Sequence, residues 1–179
     1  MLLKIENFFN KIADFIGHLT AVLMVVMMLN VFYDVIMRYF FNTGSIAMQE
    51  MEWHLFSMII LLGVSYSLKE DGHVRVDVIY DRLNIKKKAM INIVGTILFL
   101  IPFSIFIGTG SFDFVMEAYT SGEISGDPGG LTHRWIIKAF IPASFYLLVF
   151  TSIGFIIKNI NLYRGEHNLH KHNLEGAQK

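Results

Sequence analysis

The sequence predicts an all-α membrane protein: four transmembrane helices with interfacial amphipathic helices, both termini on the cytoplasmic side. Three observations carry this. Of the 179 residues, 54% are hydrophobic and only 17% are charged, against about 25% charged in an average soluble domain. The apolar residues gather into four blocks of roughly 16 to 25 residues, near or above the length that crosses a bilayer. Lys and Arg are divided unevenly among the segments that connect those blocks. Helices are expected because a helix satisfies its own backbone where lipid offers no hydrogen bonds, and no block shows the two-residue alternation of a barrel wall.

Leu2, Ile5, Phe8, Phe9, Ile12 and Phe15 recur at helical spacing opposite Lys4, Asn7, Lys11 and Asp14, which predicts an amphipathic helix on the inner surface. Span one covers about 15–37 and closes at Arg38. Its apolar run is too long for the core of a signal peptide and lacks a good small-x-small cleavage site, so an uncleaved anchor is expected. Ser45 suits the cap of a short helix carrying Ile46, Met48, Met51 and Trp53 beside Glu50 and Glu52, lying in the outer interface. Span two, 53–68, is short and ends at Lys69-Glu70-Asp71. From His73 to Lys88, Val74, Val76, Ile79 and Leu83 mix with charges, as in a segment lying along the inner surface. Span three covers 89–112, and the Gly122 to Gly130 connection turns sharply outside. Span four covers 135–157 and is closed by Lys158. Pro102 and Pro142 should kink their spans. Residues 1–164 form one domain and 165–179 a polar cytoplasmic tail, with no internal repeat.

Orientation follows from the cations. They cluster in the N-terminal segment, the middle loop and the tail, whereas the other two loops hold only Arg38 and Arg134. Positive residues stay inside, which places both termini and the middle loop in the cytoplasm. The balance of fifteen Lys and Arg against fifteen Asp and Glu gives no basic excess for nucleic acid. With no cysteine, disulfides, thiol catalysis and thiolate metal sites are excluded.

Ionisable residues within spans mark functional sites by default. Asp34 shares one helix face with Asn30 and Arg38, at four-residue steps. It lies about one turn from the outer end, so a structural ion pair with Arg38 stands beside a transport or proton site as its reading. The middle segments of all four spans contain no Asp or Glu. Histidine pairs in small bundles hold haem, but His18 and His54 fall at opposite ends of a ~30 Å core. Gly63 with Ser67, Ser104 with Gly108 and Ala139 with Ala143 are small pairs that let helices approach closely. Lys138 should snorkel to the outer interface, with Trp53 and Trp135 in its aromatic belt. The tail holds His167, His170 and His172, read as a polar end rather than a metal site. No phosphate loop, nucleophile triad or cofactor fingerprint is present.

Four stretches go beyond composition. They are Arg38-Tyr39-Phe40-Phe41; Gln49 to Phe56 running into Leu61-Leu62-Gly63; Asp71-Gly72-His73-Val74-Arg75-Val76-Asp77; and Pro128-Gly129-Gly130-Leu131 followed by Arg134-Trp135-Ile136-Ile137-Lys138 and Ile141-Pro142. In order and spacing around four spans, over about 15–157, the chain resembles the small membrane subunit, the DctQ-type component, of tripartite ATP-independent periplasmic (TRAP) transporters. The resemblance implies a non-enzymatic scaffold in a bacterial inner membrane. A periplasmic binding protein captures an organic acid there, and a large membrane subunit carries it across with sodium. No cofactor is implied for this chain, sodium being expected in the large partner, and the other contacts are membrane lipids.

Glu50 and Trp53 match the family's outer motif, although Ala47 stands where some members have an aromatic residue, and Glu50 and Glu52 are split by Met51. Candidate packing or subunit-interface residues are therefore Asp34, Arg38, Glu50, Trp53, Gly63, His73, Arg75 and Asp77. Arg75 and Asp77 tie the inner loop either to the large subunit and lipid head groups or to one another locally. Candidate periplasmic docking residues are Glu123, Asp127, Gly129, Gly130 and Arg134. Two rival functions stay open: a haem-binding anchor of a respiratory enzyme, and a self-contained dimeric transporter relying on Asp34.

Overall fold

The computed structural model describes residues 2–72, 80 and 82–165. Four long helices follow one another: α1 (Leu2–Phe40), α2 (Ile46–Lys69), α3 (Ile85–Thr120) and α4 (Trp135–Arg164). All four are long and apolar enough to cross a membrane. They run antiparallel in sequence. The connections 41–45 and 121–134 share one end of the bundle, the loop end, and residues near both chain termini meet at the other, the terminus end.

Two expected interfacial helices are not separate elements. The amphipathic N-terminal stretch continues without a break into span one, making α1 39 residues long, about 58 Å. No proline interrupts Leu2–Phe40, so nothing stops the helix from propagating once formed. The outer segment that begins at Ile46 likewise runs straight into span two. Ser45 precedes it in extended conformation, but its side chain makes no capping bond. Of the expected inner surface segment, residues 73–79 and 81 lie outside the described residues. Ile85 to Lys88 form the first turn of α3, where Asn84 Oδ1 accepts from Lys87 N–H at 2.9 Å.

Inside α3 the turns between Thr96 and Leu100 widen into a π-helical segment, and Ile101 N–H donates to Thr96 O. Pro102 explains the placement. It has no N–H for the carbonyl four residues back, and one wide turn re-routes the ladder around the missing bond. Pro142 is buried inside α4.

Helix α4 is the centre. It packs against α1, α2 and α3, and it is the most buried of the four. Leu148 and Phe155 form the core with Leu68 of α2, and Leu100 and Phe145 pack around them. The seams are made by small residues. Ser104 and Gly108 of α3 are buried, and Gly108 meets the Tyr146 ring and the Phe145 β-carbon. Gly63 meets Thr20 of α1. Ala143 is exposed, so the expected Ala139/Ala143 pair does not form a seam. The closest approach is at Gly154, where a β-carbon would stand 2.8 Å from Phe9 Cγ; only glycine leaves room for that ring. Much of α1 and α3 remains uncovered, including Val22, Met28, Phe32, Phe99 and Phe106.

Candidate functional site

At the loop end, α1 supplies Asn30, Asp34 and Arg38 on one face, four residues apart. Arg38 Nη2 donates to Asp34 Oδ2 at 2.5 Å, and Asp34 is buried at 5% exposure. Asn30 Nδ2 donates to Met48 O at 3.0 Å. With the Gln49 amide turned so that its oxygen faces Arg38, that oxygen accepts from the guanidinium. The polar face of α1 therefore clasps the first turn of α2. The pair closes on α1 itself, and Arg38, partly exposed, carries the contact across to Gln49.

Glu50, the next residue along α2, reaches the connection between α3 and α4. Leu131 N–H donates to Glu50 Oε2 at 2.6 Å, and Ser125 Oγ donates to Oε1. Ser125 Oγ also accepts from Asp127 N–H at 3.2 Å, while Ser125 N–H donates to Leu131 O and Gly130 N–H donates to Asp127 O, both at 3.0 Å. One carboxylate thus closes a tight loop whose own backbone is already cross-tied. Gly130 is required here, because a β-carbon would stand 2.8 Å from Glu50 Oε2 and 2.5 Å from Ser125 Cβ. Gly129 takes the left-handed conformation at φ +83°. Asp127 is exposed at the tip.

Glu123 is held within the chain. Its carboxylate pairs with Lys138 and lies 3.7 Å from Arg134 Nε, and Arg134 N–H donates to Glu123 O at 3.2 Å. Lys138 Nζ also sits 3.9 Å from the Phe114 ring centroid, a cation over an aromatic face. The Tyr119 and Trp135 rings meet edge to face at 5.4 Å. Trp53 projects outward at 71% exposure.

The terminus end has its own network, which the sequence did not reveal. Lys69 Nζ binds Asp14 Oδ1 at 2.5 Å and Glu70 Oε1 at 2.8 Å, and Lys158 Nζ donates to Lys69 O at 2.9 Å. Asn161 Nδ2 donates to buried Glu6 Oε2 at 2.6 Å, and Asn92 Nδ2 to Asn159 Oδ1 at 2.8 Å. The signal was present in Asn159 and Asn161, two amides on an apolar helix, a composition that serves interhelical bonding. His73, Arg75 and Asp77 lie outside the described residues. His18 and His54 each bond a backbone carbonyl of their own helix, at opposite ends of the bundle. A small cleft beside Phe9, Lys69, Thr151 and Lys158 has room for one water.

Such an arrangement defines a multi-pass membrane bundle in which polar groups pin helices and loops to one another, while long apolar faces stay open to surroundings. Its kin are specific. The model of the family described as tripartite ATP-independent periplasmic transporters, DctQ component, matches residues 27–162. The chain belongs to that family. Two relatives from Haemophilus influenzae (strain ATCC 51907 / DSM 11121 / KW20 / Rd) are described as TRAP transporter small permease proteins. One is 28% identical over 160 residues, covering 88% of this chain and 98% of the relative. The other is 29% identical over 118 residues, covering 66% and 69%. The chain is a small permease subunit of a TRAP transporter, not an enzyme, and its family name implies partner subunits.

Proposed function

We propose that this chain is the scaffold subunit of a sodium-coupled importer of an organic anion, a carboxylate. It sits in a bacterial inner membrane with both termini cytoplasmic. It pairs with a large multi-span subunit and helps receive a periplasmic binding protein, while the substrate and sodium sites lie in the large subunit. The observation that carries this is the uneven burial of the bundle: α4 is the most covered helix, and α1 and α3 present apolar flanks that no other described part of the chain covers. Flanks of that size on a small bundle suit a body that widens a larger partner's footprint in the bilayer.

Co-expression with the large subunit of the same system, with an affinity tag on this chain, tests the pairing. A stable one-to-one complex is expected, and transport should need both subunits and a sodium gradient. Transport that persists after deletion of this chain overturns the scaffold role. Reporter fusions test orientation: a cytoplasm-active reporter should work after Lys179 and fail when inserted at Gly44.

A further inference from the structure

Helix α3 has two unlike faces. Ser104, Gly108 and Ala118 are buried towards α4. Away from it, at helical spacing and all exposed, stand Phe99, Phe106, Gly110, Asp113 and Glu117. The ridge is apolar for most of its length and then turns acidic.

Depth makes Asp113 unusual, and Glu117 follows it on the same face, one turn nearer the loop end. The Tyr119–Trp135 ring pair marks the aromatic level at the loop end. Asp113 lies six residues before Tyr119 in sequence, about 9 Å below it along the helix, on the membrane side of that level. At the same end Asp34, Glu50 and Glu123 each find a partner within the chain. Among the described residues neither the Asp113 nor the Glu117 carboxylate has one. A carboxylate facing acyl chains is costly, and intramembrane acids meet a cation or a polar cavity instead. The exposed face of α1 differs: Val22, Val25, Met28, Leu29 and Phe32 carry no charge and suit lipid tails. Beside the acids, Gly110 has nothing within 4 Å of where a β-carbon would be, so a second helix backbone can come close there.

We propose that the Phe106–Gly110–Asp113–Glu117 ridge of α3 is the docking face for a membrane-embedded helix of the large subunit, one that offers Lys or Arg to the two carboxylates. This rests on the pairing proposed above and adds which flank makes it. By the same reasoning the α1 flank faces lipid.

The test uses the co-expressed complex, captured through a tag on this chain. The double variant Asp113→Leu/Glu117→Leu should lower recovery of the large subunit on the order of tenfold, the loss of one or two interhelical bonds, and separately Gly110→Trp, which blocks the close approach, by a similar factor. Asp113→Lys should lower it more than Asp113→Asn. Leu29→Trp on α1 should leave recovery unchanged. Because all these side chains are exposed within the chain, the helix content and melting of the free subunit serve as the folding control and should not move. Recovery undiminished by the double variant, or by Gly110→Trp, overturns the docking face while leaving the pairing intact. A wild-type chain that captures no large subunit overturns the pairing and this face with it.

Discussion

Glu50→Ala isolates the contact that joins α2 to the α3–α4 connection. The carboxylate accepts from Leu131 N–H at 2.6 Å and from Ser125 Oγ. Hydrogen bonds to a charged group contribute about 1.5–3 kcal/mol each. Glu50 is only part-buried, which puts each bond at roughly one factor of ten, so the pair shifts the loop's closing equilibrium by roughly a hundredfold. Local opening would become easier by that amount, and exchange of the Leu131 amide should quicken by roughly a hundredfold, at 1.4 kcal/mol per factor of ten. Glu50→Gln keeps an oxygen for Leu131 N–H and lets Ser125 accept, so a smaller change of about tenfold is expected. Hydrogen exchange read by mass spectrometry on peptides covering 125–131, in nanodiscs, measures this directly. Unchanged protection in Glu50→Ala would show that the loop closes through its own backbone bonds and that Glu50 is incidental.

Three further outcomes are expected. Gly154→Val should drive Phe9 off α4 and lower the melting temperature in detergent, an overpacking cost of about 1–3 kcal/mol; a melting curve like the wild type would mean that the N-terminal arm is not held there. Asp34→Asn should cost about 1 kcal/mol or less, since Arg38 is partly exposed, and leave both assembly and transport intact. Loss of transport with assembly preserved would revive the transport-site reading. Asp127→Lys should weaken transport at limiting binding protein without changing subunit recovery, and equal transport would remove the tip from any docking role. Reversal at Glu123 is the poorer probe, because it would also expel Lys138 from its partner.

The four spans were readable because hydropathy over some twenty residues is a strong, local signal. The Asp34–Arg38 pair was readable for a similar reason: an i, i+4 step on a helix decides proximity without tertiary information. The arms were not, because the amphipathic pattern reports an apolar face but not whether that face meets lipid or another helix. In α1 the Lys4, Asn7 and Lys11 side stays exposed and the other side met α4, with Phe9 against Gly154 and Glu6 reaching Asn161 across 155 residues of sequence. The Glu50 cage was hidden likewise, since Ser125 and Leu131 lie 75 and 81 positions away. The bonds that hold Glu123, to Lys138 and Arg134, were hidden too, because they follow only once the loop folds back on the start of α4.

The central position of α4 bears on biogenesis. Chains fold from the N-terminus as they are made, and of the four helices the one that packs against all the others is synthesised last. Until it enters the bilayer, the α1–α2 hairpin has only itself, and α3 lacks the helix against which its small-residue seam is shaped. Three inserted helices must therefore wait in lipid for the fourth. A ribosome that stalls before Trp135 would leave an open intermediate, with the Gly108 and Leu68 faces bare to membrane quality control.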